Sequence, residues 1–233
     1  MIKKVYLAFL SLAVVVSMIV GVVIHTGDKN WFKFGFNFIS FDDKKNKVEK
    51  DLDGVDDQVR ITIDCDCSDL TIKKGDKFHV KYNDYKNLVT NVTAGEGYIE
   101  INQSSKHSIN LKGYDSDIEL TVPKDVEITE LNIDNNMGDI NLEDLDIVTG
   151  HIDADLGDIN LEKVAFKDMD ITANLGNIKV DSDNNLDDYS ISASISLGSC
   201  NINGMKGSSD FEKDGNEGSL SIDADLGDVD VEW

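Results

Sequence analysis

Residues 152–161, IDADLGDINL, decide the fold, because close copies of them recur through the second half of the chain. Aligned on their glycines, the copies are LNIDNNMGDINLEDL from Leu131, GHIDADLGDINLEKV from Gly150, MDITANLGNIKVDSD from Met169, ISASISLGSCNINGM from Ile191 and LSIDADLGDVDVEW from Leu220. The glycines, Gly138, Gly157, Gly176, Gly198 and Gly227, are spaced by 19, 19, 22 and 29 residues. Such spacings are those of a solenoid whose later turns carry loop insertions. A degenerate sixth copy, ITIDCDCSDLTIKKG from Ile61, has Ser68 in the glycine position.

Stacking the copies gives each column a physical task. Five places before the glycine stand Ile63, Ile133, Ile152, Ile171, Ala193 and Ile222; one place before it stand Cys67, Met137, Leu156, Leu175, Leu197 and Leu226. Two places after come Leu70, Ile140, Ile159, Ile178, Cys200 and Val229, and four after come Ile72, Leu142, Leu161, Val180, Ile202 and Val231. All four columns are expected in the core. Apolar and polar residues alternate on both sides of the glycine, which is the period of a strand with one buried face. The parity changes across Leu-Gly-Asp, so one extra residue is inserted and the chain turns, with glycine supplying a backbone conformation that a side chain disfavours. Each copy therefore reads as strand, corner, strand, and copies stacked at about 4.8 Å make a short rod with apolar ladders inside.

The fold class expected is all-β, a β-solenoid or β-helix-like repeat domain behind a single N-terminal transmembrane helix. Residues 5–24 form an uncharged run preceded by Lys3 and Lys4. At about 1.5 Å per residue this run spans roughly 30 Å, the thickness of a bilayer core. Basic residues before the run keep residues 1–4 in the cytoplasm and the rest outside. An uncleaved signal anchor is preferred to a cleaved signal peptide because no small-x-small site follows the run. Residues 31–41, WFKFGFNFISF, read as an aromatic juxtamembrane stretch or an edge strand, and residues 41–57 as a charged tether. Residues 25–58 are thus linker, and the β pattern of the acidic repeat domain runs over 59–233, including short runs at 78–82, 98–101, 109–111 and 118–122.

The charge is concentrated. The chain carries 22 basic and 45 acidic residues, net −23; residues 125–233 hold 27 of the acids and only five of the bases. Such a surface excludes nucleic acid as a partner, since phosphate binding needs clustered Lys and Arg.

Beginning at Asp117, DIELTVPKDVEITELNIDNNMGDINLEDL followed by the Leu-Gly-Asp-Ile copies resembles the β-strand-repeat family of bacterial surface proteins labelled "putative adhesin", a domain of unknown function. The resemblance covers roughly residues 59–233. It implies a β-solenoid-like extracytoplasmic domain, often membrane-tethered in Gram-positive bacteria and sometimes linked to envelope-stress systems. It supplies no catalytic residues.

The candidate chemistry is sparse. Cys65, Cys67 and Cys200 occupy columns filled elsewhere by small or apolar residues, so core packing is preferred to a disulfide or a metal site. The acidic columns are the better lead: Asp153, Asp155 and Asp158 recur as Asp223, Asp225 and Asp228. On stacked coils such carboxylates form a solvated acidic face or bind calcium weakly, as a hard cation bridging oxygen ligands. Asn174, Asn177, Thr172, Ser196 and Ser199 interrupt the columns. The four histidines, His25, His79, His107 and His151, form no ligand pair, and neither a nucleophile elbow nor a phosphate loop is present.

The function expected is a non-enzymatic cell-surface binding or scaffold module of the bacterial envelope, in the cell membrane with its C-terminal domain outside. No cofactor is expected, calcium aside. The partners are the membrane, through the N-terminal helix, and an unidentified envelope protein or wall polymer. The alternatives are a self-assembling homo-oligomeric solenoid, because solenoid ends expose unpaired strand edges, and an accessory modulator of a membrane stress-signalling system.

Overall fold

The computed structural model describes residues 46–105, 116–207 and 210–233, which fall in one compact unit, Asp43–Trp233. The expected membrane span at 5–24, the aromatic stretch at 31–41, His25, His107 and the run at 109–111 lie outside these residues. Among the described residues no helix is long and apolar enough to cross a membrane, and all but one 3₁₀ turn, Leu186–Asp188, of the regular structure is strand.

The chain enters through β1 (Asn46–Asp51) and makes a first coil with β2 (Gln58–Cys65) and β3 (Asp69–Gly75). It reverses through β4 (His79–Asp84) and β5 (Leu88–Gly95), then runs forward again as β6 (Tyr98–Ser105) and β7 (Asp117–Pro123). Three regular coils follow: β8 (Glu127–Asn135) with β9 (Ile140–Glu143), β10 (Asp146–Leu156) with the start of β11 (Ile159–Leu175), and the end of β11 with β12 (Ile178–Ser182). Next come β13 (Ser190–Leu197) and β14 (Cys200–Ile202), a reversal through β15 (Met205–Gly207) and β16 (Asp210–Lys213), and a last coil of β17 (Ser219–Leu226) and β18 (Val229–Glu232).

The coils do not stack in chain order. On one sheet the parallel order is β6, β2, β8, β10, β11, β17, β13. On the other it is β7, β3, β9, β11, β12, β18, β14. The last repeat is therefore inserted between the third and fourth contiguous copies, and the β6–β7 coil lies outside the β2–β3 coil that precedes it. Trp233 consequently ends an interior coil, and the ends expected to be bare carry antiparallel strands. β5 covers β6, β4 and then β1 cover β7, β16 covers β13, and β15 covers β14. Part of the expected tether is thus the edge strand β1, whose Val48 packs on the core.

The interior is built as ladders. Ile63, Ile133, Ile152, Ile171 and Ile222 stand in register and are at most 2% exposed. The columns two and four places after the glycine are equally buried. The column immediately before the glycine is not: Leu156, Leu175, Leu197 and Leu226 are 47%, 46%, 62% and 36% exposed. The physical reason lies in the corner. The extra residue that shifts the parity is the leucine itself, so the positions one and two before the glycine both face solvent. The corner backbone still bonds from coil to coil, as in Gly157 N–H to the Leu175 carbonyl at 3.0 Å.

Candidate functional site

The repeated corner places three outward columns side by side: the apolar one just described, flanked by the residues two places before and one place after the glycine. Glycine is required between them because the corners nearly touch. A Cβ on Gly157 would lie 2.1 Å from the Gly138 carbonyl oxygen, and one on Gly176 1.8 Å from that of Gly157. Ser68 is accommodated differently, its hydroxyl paired with Ser116 Oγ at 2.7 Å and accepting from Gln103 Nε2 at 2.6 Å in a buried polar cluster.

The column after the glycine reads, in spatial order, Asp69, Asp139, Asp158, Asn177, Asp228, Ser199. Each side-chain oxygen accepts the backbone N–H of the next coil. Asp139 N–H donates to Asp69 Oδ1 at 2.9 Å, Asp158 N–H to Asp139 Oδ1 at 2.9 Å, and Asn177 N–H to Asp158 Oδ1 at 2.7 Å. Asp228 N–H donates to Asn177 Oδ1 at 3.0 Å, and Ser199 donates both its N–H and its hydroxyl to Asp228 Oδ1 at 2.8 Å. The Ser199 hydroxyl, with its backbone N–H, holds the Asp228 carboxyl below the usual range. Asp in Leu-Gly-Asp is thus a splice between coils, satisfying corner donors that would otherwise lack a protein partner.

The column two places before the glycine reads Asp66, Asn136, Asp155, Asn174, Asp225, Ser196. Acids alternate with neutral donors: Asn136 Nδ2 donates to Asp66 at 3.3 Å, Asn174 Nδ2 to Asp155, and Ser196 Oγ to Asp225 at 3.4 Å. Only the inserted last repeat makes the alternation regular.

A fourth column, four places before the glycine, does bring like charges together. Asp64, Asp134 and Asp153 are in register on adjacent coils, with Thr172 next and Asp223 beyond it. Partial burial, then Asp134, pushes the carboxyls of Asp64 and Asp153 up. On the opposite sheet Glu143, Glu162, Asp181 and Glu232 form an uninterrupted acidic ladder that the sequence columns contained but the Gly-centred reading did not extend to.

The six aspartates expected to bind calcium therefore occupy two coils separated by a third. Thr172, Asn174 and Asn177 stand between Asp153, Asp155, Asp158 and Asp223, Asp225, Asp228. Equivalent members are two coil rises, about 9.6 Å, apart. Among the described residues no three His, Cys, Asp or Glu side chains are grouped to hold a metal. Cys65 and Cys200 are buried, Cys67 is partly so, and all three are free thiols. Burial, then Asp64 and Asp66, pushes the Cys65 thiol up to about 12, opposite to the shift that makes a cysteine reactive. His151 is half exposed, its Nδ1 3.2 Å from Asp170 Oδ2.

An all-β, solenoid-like stack whose outer columns repeat from coil to coil defines the class of fold, and comparison supplies the family. The model of the Toastrack DUF4097 family matches residues 58–233, and the chain belongs to that family. A putative cell adhesion protein from Clostridium sporogenes is 15% identical, with 82% of this chain and 99% of that chain covered and a TM-score of 0.43. A putative adhesin from Bacteroides fragilis is 10% identical, with 80% and 96% covered and a TM-score of 0.37. A third, a putative adhesin from Parabacteroides distasonis, is 11% identical, with 82% and 98% covered and a TM-score of 0.29. No curated protein matches the chain.

Proposed function

We propose that this chain is a non-enzymatic binding or scaffold module displayed outside a bacterial membrane on the anchor at residues 5–24. The observation that carries the reading is the in-register repetition of outward side chains over successive coils held by backbone ladders. Repetition of this kind suits polyvalent contact with an envelope protein or wall polymer. A catalytic site instead needs one place where unlike groups converge. Here the carboxylates splice coils, alternate with neutral donors or repeat as acidic ladders.

End-to-end self-assembly is disfavoured by the capped ends. Edge strand β5 has its outward Thr90 N–H bonded to Asp84 Oδ1 at 3.2 Å and its Val92 carbonyl to Lys50 Nζ at 3.1 Å. Charged or very short edges, such as β1, β15 and β16, are the usual protection against strand addition.

Calcium enters this reading only as a weak counter-ion of the acidic faces, because Asp158 and Asp228 already accept backbone N–H groups. Titrating calcium at constant ionic strength should leave the melting temperature of the full chain unchanged. A rise at sub-millimolar calcium, lost in Asp155→Asn with Asp158→Asn, would make these residues metal ligands; Asn177 shows that an amide preserves the splice.

The module reading is tested by placing a photo-crosslinking residue at single exposed positions on each face, in cells carrying the full chain. Capture of a defined envelope component from one face is expected, and no capture from any face contradicts it.

A further inference from the structure

Six large hydrophobic residues are exposed among the described residues, and four of them fall in one line. Leu156, Leu175, Leu226 and Leu197 are consecutive in register along the corner. At about 4.8 Å per coil they make a stripe roughly 14 Å long. In a solenoid the corner side chains have no neighbouring element over them, and in this one the position carries leucine on four successive coils. The polar residues normal at an exposed corner are absent from it.

The stripe has acidic rails. Asp155 and Asp225 lie on one side, Asp158 and Asp228 on the other, and all four are exposed. Their hydrogen bonds leave the negative charge in place, because the donors are neutral amides, hydroxyls and backbone N–H groups. An apolar line between negative rails repels an anionic lipid surface, and it repels a second copy of this chain, which would bring the same rails. It complements a cationic amphipathic segment.

We propose that the leucine corner is a docking stripe for an amphipathic helix of a partner protein, with an apolar face flanked on both sides by Lys or Arg. The proposal rests on the binding-module reading and names its surface and partner chemistry. A helix lying along the stripe rises 5.4 Å per turn, close to the coil rise. Apolar side chains at i, i+3 or i+4, i+7, and i+10 or i+11 therefore meet the four leucines over about three turns, an extension of the pattern by which helices dock on apolar surfaces. The cationic flanks then reach the two rails, so binding weakens with salt.

The test uses the full chain in zwitterionic lipid nanodiscs, with empty discs as the reference. The probe is a fluorescein-labelled, three-to-four-turn peptide with leucine on one face and lysine on both flanks. Saturable binding above the reference is expected, weakened at least tenfold by Leu175→Asn with Leu226→Asn. Replacing the peptide lysines by glutamate should abolish it. Both leucines are exposed, so the double variant should melt as the parent does; Leu175→Met with Leu226→Met should bind as the parent does. Equal binding by the Asn variant, or equal binding of the glutamate peptide, overturns the proposal. So does binding that appears only after residues 31–41 are deleted, which would make the chain's own aromatic stretch the occupant. If the peptide fails while photo-crosslinkers on the sheet faces still capture an envelope component, the stripe falls and the module reading stands.

Discussion

Gly157 and Gly204 share one constraint, a positive φ, and only Gly157 adds a second, so substitution separates the two. A Cβ at Gly157, where φ is +149°, would also overlap the neighbouring corner's backbone, whereas one at Gly204, where φ is +81°, meets nothing within 4 Å. Gly204→Ala is expected to cost about 1–2 kcal/mol, the penalty of left-handed backbone. Gly157→Ala should cost about 3 kcal/mol or more, since rigid backbone must part to admit it; denaturant unfolding of both variants checks the order.

Asp153 carries the opposite kind of cost. Its folded carboxyl is raised by partial burial and Asp134, so the ionised form opposes folding above that pKa. The penalty disappears below the ordinary aspartate range, where the unfolded chain is protonated too. Asp153→Asn should therefore stabilise by roughly 0.2–1 kcal/mol at neutral pH, as removal of a cross-strand like-charge contact does. The gain should vanish as pH falls below about 3.9. A melting-temperature difference that stayed constant down to pH 3 would contradict the ladder as its cause.

Strands and corners were legible in the repeat, since alternating parity and a Leu-Gly-Asp step admit few other readings. The exposed leucines were not, because a parity shift shows that one residue is added but not which one. The order of the coils was hidden for a different reason. The 29-residue interval between Gly198 and Gly227 reads as a loop insertion, yet it holds Asn203-Gly204, with φ of +47° and +81°, a two-residue turn of the type that closes hairpins. That turn sends β15 back along the outside of β14, after which β17 and β18 slip in beneath.

Two departures from the repeat did mark where stacking becomes irregular. Ser68 adjoins one end, and the copy with Ser199 and Cys200 forms the outermost repeat at the other. Hydrogen exchange should follow spatial order. Amides of Ile222 and Ile171, inside the parallel stack, should exchange only on global unfolding, and those of Ala193 and Ile195, on the coil covered outside only by the short β16, sooner. Earlier exchange in the last repeat would mean that it frays as a terminal coil.

On the scale of the whole molecule, reversal at both ends converts an open solenoid into a closed stack. The capping strands use short length, Lys50 and Asp84 where an unprotected edge would invite another strand. A net charge of −23 adds repulsion between copies. Sedimentation of the full chain in nanodiscs at rising concentration is expected to show one chain per disc and no disc-to-disc association; filaments would restore the structural role.

The alternating acids and the leucine stripe both depend on the inserted position of the last repeat. Cysteine pairs read that position directly, since in-register neighbours lie about 5 Å apart, within disulfide reach, and second neighbours about 10 Å apart, outside it. In a Cys67→Ser background, mild oxidation should join Leu175→Cys to Leu226→Cys, and Leu226→Cys to Leu197→Cys. Leu175→Cys with Leu197→Cys should remain reduced. Rapid closure of the 175–197 pair, with none at 175–226, would return the coils to chain order and dismantle the faces on which binding is proposed.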